Sequence, residues 1–187
     1  LLIVASDHGH ETVAGVVPLE AMLIEARLKA SDVSTDVVVA SNAFSAHIYV
    51  AEEVRYRIDA IKEFLEASDA VDRVFAGADL AEVGLATDTA LALSVTPRRS
   101  DAANPYGVKG TSDAFFDPLS GETREGCGQH GGLGRFEQNP FLIVIGGGFE
   151  GGLRGDEESS AIDLAPTILR HLGLPWGGMD GKPLPTA

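Results

Sequence analysis

Short apolar runs separated by polar turns dominate the pattern along the chain. Residues 1–5 and 141–145 are fully apolar, which predicts two buried strands of the kind found in parallel sheets. Four further strands are predicted at residues 37–39, 46–50, 71–76 and 90–95. These strands are separated along the chain by stretches of helical periodicity.

The clearest helical pattern covers residues 52–67. Its apolar residues Val54, Ile58, Ile61 and Leu65 follow one another at spacings of four, three and four, which places them on one stripe of a helix. Glu53, Arg57, Lys62 and Glu66 face outward from this stripe. We therefore expect an amphipathic helix that packs against a sheet through this stripe.

Two weaker helical patterns flank the strands. One runs from Pro18 to about residue 29, and the other covers residues 163–172, where Pro166 fits only in the first turn and Gly173 ends the helix. Residues 97–134 are rich in Gly, Pro, Asn, Asp and Ser, which predicts long loops. Strands that alternate with helices predict an α/β layer fold.

Charge and composition exclude several classes of partner. Asp and Glu number 28 against 14 Lys and Arg, a net charge of −14, and no basic stripe is present. We therefore expect no nucleic-acid polymer as a partner. A small anion can still bind where bound metal ions outweigh the negative electrostatic field of the protein. No window approaches the ~20 apolar residues of a membrane span. Cys127 is the only cysteine, so neither an internal disulfide nor a cysteine-based zinc site is expected.

The first residue, Leu1, lies inside an apolar run and is not a methionine. We expect residues 1–187 to be the C-terminal part of a single domain whose N-terminal part precedes this sequence. Targeting, localisation and oligomeric state are therefore not predicted.

Chemistry-bearing residues first cluster directly after the apolar run at the start of the chain, in the motif Ser-Asp-His-Gly-His of residues 6–10. In open α/β sheets, sites form at the carboxyl ends of strands, where Asp7 falls. A turn at Gly9 would let Asp7 and His8 reach one ion, and a carboxylate with an imidazole is a normal ligand pair for zinc. The alternative is a polar strand end in which Asp7 caps a turn.

A second motif, Gly-Cys-Gly-Gln-His-Gly-Gly-Leu-Gly, surrounds His130 with five glycines. Such a backbone can approach a ligand closely. The alternative is a flexible loop that contains a histidine.

These two motifs occur in order with a third segment, IDLAPTILRHLGLPWGGMDGKPL, at residues 162–184. With SDHGH and GQHGGLGRFEQNPFLIVIGGGF, they resemble the alkaline phosphatase superfamily, and within it the type I phosphodiesterase and nucleotide pyrophosphatase branch. The resemblance covers both ends of the chain. It implies a three-layer sandwich around a central, mostly parallel sheet.

The resemblance also implies a function. Members of the branch hold two divalent ions, usually zinc, between which a Thr or Ser attacks phosphorus in a phosphate diester or nucleotide pyrophosphate. Asp7 and His8 then correspond to ligands of the ion that contacts the nucleophile, and His130 to a ligand of the other. His10 and Glu137 are candidates for the layer around these ligands. Glu137 would accept a hydrogen bond from the His130 ring. The alternatives are an exposed loop residue for His10 and a solvated loop carboxylate for Glu137.

The motifs of the family that carry the nucleophile, one metal-binding Asp and an Asp-x-x-x-His pair would precede Leu1. No catalytic residue is therefore assigned in this chain, which is expected to be inactive alone while its parent protein hydrolyses a small phosphate ester. A sulfatase or a metal-dependent phosphomutase of the same superfamily, or a non-catalytic binding domain on this scaffold, are the alternatives.

Overall fold

The computed structural model describes residues 1–152 and 158–186, which form two units. The first unit holds Leu1–Asp7 with the described part of Pro140–Ala187, and the second holds His8–Asn139. Both predicted ligand histidines, His8 and His130, therefore belong to the second unit.

Ten strands and four α-helices make up the described residues. The strands are β1 (Leu2–Ala5), β2 (Glu11–Val17), β3 (Val37–Asn42), β4 (Ser45–Val50), β5 (Val71–Ala76), β6 (Leu91–Pro97), β7 (Arg99–Ala103), β8 (Lys109–Phe115), β9 (Gly128–Gln129) and β10 (Leu142–Ile145). The helices are α1 (Leu19–Glu25), α2 (Ile58–Glu66), α3 (Arg135–Gln138) and α4 (Leu164–His171). Short 3₁₀ segments cover Glu52–Arg57, Gly77–Val83 and Ala161–Asp163. The fold is mixed α/β, as predicted.

In the first unit, β1 and β10 pair in antiparallel register, with Leu2 opposite Ile145 and Val4 opposite Ile143. The two apolar runs were predicted as buried strands of the parallel type, and that prediction is wrong in direction and in burial. These four residues share one face of the ribbon and are all exposed. An unbroken apolar run indicates a strand, but it contains no alternation that would specify the strand's direction or its covered face.

The C-terminal motif has a structural explanation in the first unit. The Asp163 carboxylate accepts hydrogen bonds from the backbone N–H groups of Ser160 and Lys182, both at 2.9 Å. These bonds lower the pKa of Asp163 below its ordinary value. Pro166 lies in the first turn of α4 and Gly173 follows its end with a φ of 68°, as the sequence predicts. The motif thus fastens the tail of the chain to the start of α4.

The larger sheet of the second unit has the order β3-β4-β6-β5 and is antiparallel throughout. One face packs against α1 and α2 in a core where Leu23, Ile48, Ile61, Leu65 and Leu93 are fully buried. The amphipathic helix predicted for residues 52–67 is confirmed from Ile58 onward. Its first turns are 3₁₀ instead, with a kink at Val54, where φ is −123°.

The other sheet of the second unit, in the order β7-β8-β2-β9, occupies much of the region predicted as long loops. That loop prediction is wrong for β7, β8 and β9. Most of β8 is buried, including the polar residues Ser112 and Asp113. Strand preference mainly reflects packing against neighbours, so small polar residues can form a buried strand that their composition conceals.

Six of the seven strand pairings are antiparallel, and only β2 and β8 run parallel among the described strands. The mostly parallel central sheet implied by the resemblance is therefore not seen in the described residues. Periodicity locates strands but does not choose their partners, which depend on contacts distant in sequence. No helix in the described ranges has the length and apolar character needed to cross a bilayer.

Candidate metal centre

The rings of His8, His10 and His130 lie together, near the start of β2 and the end of β9. The two strands pair antiparallel, with Glu11 opposite Gln129 and Thr12 opposite Gly128. His10 precedes Glu11 and His130 follows Gln129, so the register carries both histidines to the same end of the ladder. A Cβ at position 128 would lie 3.4 Å from the His10 Cβ, so Gly128 and His10 are packing neighbours.

The rings of His8 and His130 are stacked, with centroids 3.7 Å apart and planes inclined by 21°. His10 stands edge-on to both, at 5.2 Å from His8 and 5.6 Å from His130. The structure therefore brings together the two histidines that the sequence assigned as metal ligands, with His10 beside them.

The backbone around His8 and Gly9 orients the His8 ring. The His8 Nδ1 lies 2.8 Å from the carbonyl oxygen of Gly9, which can only accept, so Nδ1 carries the proton in this bond. This bond orients the His8 ring, and metal-binding histidines usually hold one of their two ring nitrogens in a bond of this kind. The Gly9 N–H donates to the Glu137 carbonyl at 2.7 Å, and a Cβ at position 9 would lie 2.1 Å from the Phe136 oxygen.

Glu137 holds the glycine loop that follows His130. Its buried carboxylate accepts hydrogen bonds from the backbone N–H groups of Gly132, at 3.0 Å, and Gly134, at 2.9 Å. The sequence led us to expect a bond from the His130 ring instead. Each carboxylate oxygen is engaged by a main-chain donor, so Glu137 shapes the loop. The motif spacing alone could not distinguish these two partners.

The glycines of this loop are required by close packing against the turn between β3 and β4. Gly131 has a φ of 105°, a conformation that side chains rarely adopt, and a Cβ there would lie 2.9 Å from the Asn42 oxygen. A Cβ on Gly132 would lie 2.9 Å from the Phe44 oxygen. The glycine pattern thus reflects a tight backbone contact that fixes the position of His130.

Glu11 and Arg99 are site neighbours that the sequence reasoning missed. The Glu11 Oε1 accepts from Arg99 Nη2 at 3.1 Å and from the Phe136 N–H at 3.3 Å, and the carboxylate is fully buried. Burial alone would lower the pKa of Arg99, but hydrogen bonds to Glu11 and Asp101 raise it above its ordinary value. The alternation of Glu11 with apolar Val13 was the one available signal that this glutamate faces inward.

Asp7, the third predicted ligand, belongs to the first unit and is exposed. Its assignment as a ligand stays a prediction from the sequence. His47 and His171 lie outside the histidine cluster, on β4 and at the end of α4.

Imidazole is a donor that suits zinc, but the cluster is not a complete site. Across residues 1–152 and 158–186, no group of three or more His, Cys, Asp or Glu side chains is arranged to hold a metal ion. A ring binds an ion in its own plane at about 2.0–2.1 Å. Planes that are stacked and inclined by 21° do not meet that close to the rings, so His8 and His130 cannot share one ion. Each ring could therefore bind only an ion of its own.

The sequence matches no protein-family model and no protein of curated function. Among solved structures, one that matches is the phosphonoacetate hydrolase from Sinorhizobium meliloti 1021 in complex with phosphonoformate. The TM-score is 0.49 and the identity 16%, over 75% of this chain and 35% of that chain. This chain therefore spans about a third of that protein's length. The similarity is distant, and we transfer no residue role from it.

Proposed function

We propose that His8 and His130 are ligands of two neighbouring divalent cations, with zinc as the metal, in a hydrolase of phosphate esters. The observation that carries this proposal is the stacking of the two rings, which brings together positions far apart in the sequence. The motifs that contain both histidines support it, because they resemble the metal-binding segments of the alkaline phosphatase superfamily. Asp7 is proposed as the second ligand of the ion at His8.

Cations bound here would hold phosphoryl oxygens and lower the pKa of a nucleophile. The residues of the chain prepare the position of the ligands. The Gly9 carbonyl holds the His8 tautomer, Glu137 braces the loop after His130, and His10 limits the space beside both rings. We assign ligation to this chain and no nucleophile within it.

The finer proposal concerns the substrate and the scaffold. We propose a phosphate diester or a nucleotide pyrophosphate as the substrate, hydrolysed through a phospho-enzyme on a Thr or Ser hydroxyl. A three-layer scaffold of the alkaline phosphatase kind belongs to the same proposal, as does the placing of residues 1–187 in the C-terminal part of one such domain. All three rest on the sequence motifs.

A zinc titration of the purified chain tests the ligand assignment. We expect saturable binding to the wild-type chain, with a dissociation constant at least tenfold weaker in His8→Ala and in His130→Ala, which corresponds to about 1.4 kcal/mol or more. His171→Ala is the matched control, because His171 is exposed and outside the cluster. Its affinity should equal that of the wild type.

Equal zinc affinity in all four proteins would overturn the assignment. A hydrolysis assay with bis(p-nitrophenyl) phosphate accompanies the titration, and this chain alone is expected to leave the ester intact. In the full-length protein, hydrolysis of this ester that survives His130→Ala would contradict the proposed role of His130.

A non-catalytic binding domain is the second candidate, because the described residues do not complete a ligand set. Under that alternative, zinc would bind no more tightly to the wild-type chain than to His130→Ala.

A further inference from the structure

A second feature of the same unit is a pocket of about 530 Å³, which opens beside the glycine loop after His130. This volume falls in the range of about 300–1,000 Å³ that is usual for small-molecule sites. Its walls are Gly131, Gly132 and Leu133 on one side and Glu82 with Leu85 on the other. Its floor is the face of the β3-β4-β6-β5 sheet that points away from the apolar core.

Hydroxyl groups make up much of this floor. Cross-strand pairing puts His47 of β4 opposite Ser94 of β6, and Ser94 opposite Phe75 of β5. Ser45 and Thr96 lie two residues further along the same strands and therefore on the same face. Apart from His47, these floor residues are more than nine-tenths buried. A sheet face that only covered a core would carry apolar residues at such depth.

The polar groups of the floor are incompletely paired. The His47 Nδ1 lies 3.1 Å from the Ser94 hydroxyl, so these two side chains bond to each other. The Thr96 hydroxyl is buried, and no group in the described part of the chain bonds to it. Buried polar atoms nearly always form a hydrogen bond. We therefore expect this hydroxyl to form one with a group of a ligand that enters the pocket.

The charges around the pocket disfavour an anion. Glu82 contributes a carboxylate, which Arg73 approaches to 3.4 Å, and no Lys or Arg is among the described residues of the lining. Burial lowers the pKa of His47, so its ring is neutral at pH 7. The pocket therefore presents neutral donors and acceptors together with apolar Leu85 and Leu133.

We propose that this pocket binds a neutral, hydroxyl-rich group, a sugar or polyol, through Ser45, Ser94 and Thr96. Resting on the function proposed above, we further infer that this group is the alcohol part of the phosphate ester. Gly131 lines the pocket and directly follows His130, so an ester with its phosphoryl group at the histidine cluster has its organic part at the pocket mouth.

The first experimental arm uses the metal-free chain and three neutral probes, which are glycerol, D-ribose and D-glucose. Saturation-transfer NMR at millimolar concentration should detect binding of at least one probe. Thr96→Val and Ser45→Ala should weaken it at least fivefold, while Thr35→Val, at an exposed position, should not. Thr96→Val should also raise the Tm, since it removes an unbonded buried hydroxyl.

If Thr96→Val raises the Tm but leaves probe binding unchanged, the pocket holds only water. That result overturns the proposal. Absence of binding for all three probes overturns it as well.

The second arm adds zinc and replaces the sugar by its phosphate, D-glucose 6-phosphate. Zinc should tighten binding of the phosphate at least tenfold and leave glucose unchanged. If glucose binds as expected but zinc has no effect, the proposed function fails while the pocket stands.

Discussion

Partly buried side chains that can bind a proton make the stability of this protein depend on pH. His47 is the clearest case, because burial lowers its pKa from the ordinary value near 6.5. The folded chain therefore holds this ring neutral at a pH where the unfolded chain has begun to bind a proton. When the unfolded state binds more protons, stability rises with pH.

We expect the contribution of His47 to be complete above about pH 6.5 and to be lost as the pH falls toward its folded pKa. Between pH 7 and pH 5, His47→Gln should therefore lose less stability than the wild type, by under about 1.4 kcal/mol per pH unit. Urea unfolding at several pH values measures this difference. His171→Gln, at an exposed site, should follow the wild type, and a parallel pH dependence in His47→Gln would contradict the prediction.

At the scale of elements, two neighbouring arginines link the strands in different environments. Arg99 of β7 pairs with Glu11 of β2, whose side chain is fully buried. Arg98 precedes β7 and pairs with Asp113 of β8, but 65% of its side chain is exposed. Removing one member of a buried pair leaves an uncompensated charge, whereas an exposed pair contributes little.

Arg99→Ala should therefore lower the free energy of unfolding by about 3–5 kcal/mol, and Arg98→Ala by at most about 1 kcal/mol. Chemical denaturation measures both. Replacing both Glu11 and Arg99 by leucine should recover most of the loss, since no buried charge remains. Similar losses for the two single arginine variants would show that Glu11 does not depend on its partner.

Elements also show where pattern and packing diverge. The apolar stripe that includes Ile61 and Leu65 predicted α2, because helical periodicity is a local pattern. The stripe arises because one face of the helix packs against the core. β8 escaped prediction because Ser112 and Asp113 are buried by contacts with β2 and β7, which local composition does not report. The stacking of His8 on His130 depended likewise on the pairing of β2 with β9.

At the scale of the whole molecule, charge and exposed apolar surface oppose each other. The net charge of −14 keeps copies of the chain apart. The β1-β10 ribbon attracts them, because Leu2, Val4, Ile143 and Ile145 form an exposed apolar face with strand edges beside it.

Added salt should shift this balance, since the screening length falls from about 10 Å at 0.1 M to about 3 Å at 1 M. We expect reversible self-association that grows with salt in sedimentation velocity. Replacing the opposed pair Val4 and Ile143 by threonine should reduce it at least severalfold. As the matched control, replacing Val38 and Tyr49 by threonine should leave the self-association unchanged. These two residues also lie opposite each other and are exposed, on β3 and β4. Salt-independent association would assign the contact to another surface.

Local order in the chain was sufficient for the α/β class, for the stripe of α2 and for the limits of α4. These features depend on neighbours within a few turns or on the chemistry of one side chain. Strand direction, the buried strands of residues 97–134, the partners of Glu137 and the pairing of Glu11 with Arg99 required the folded chain. Each depends on contacts between segments that are remote in sequence. The free energy of these contacts depends on how the segments pack together in the folded chain.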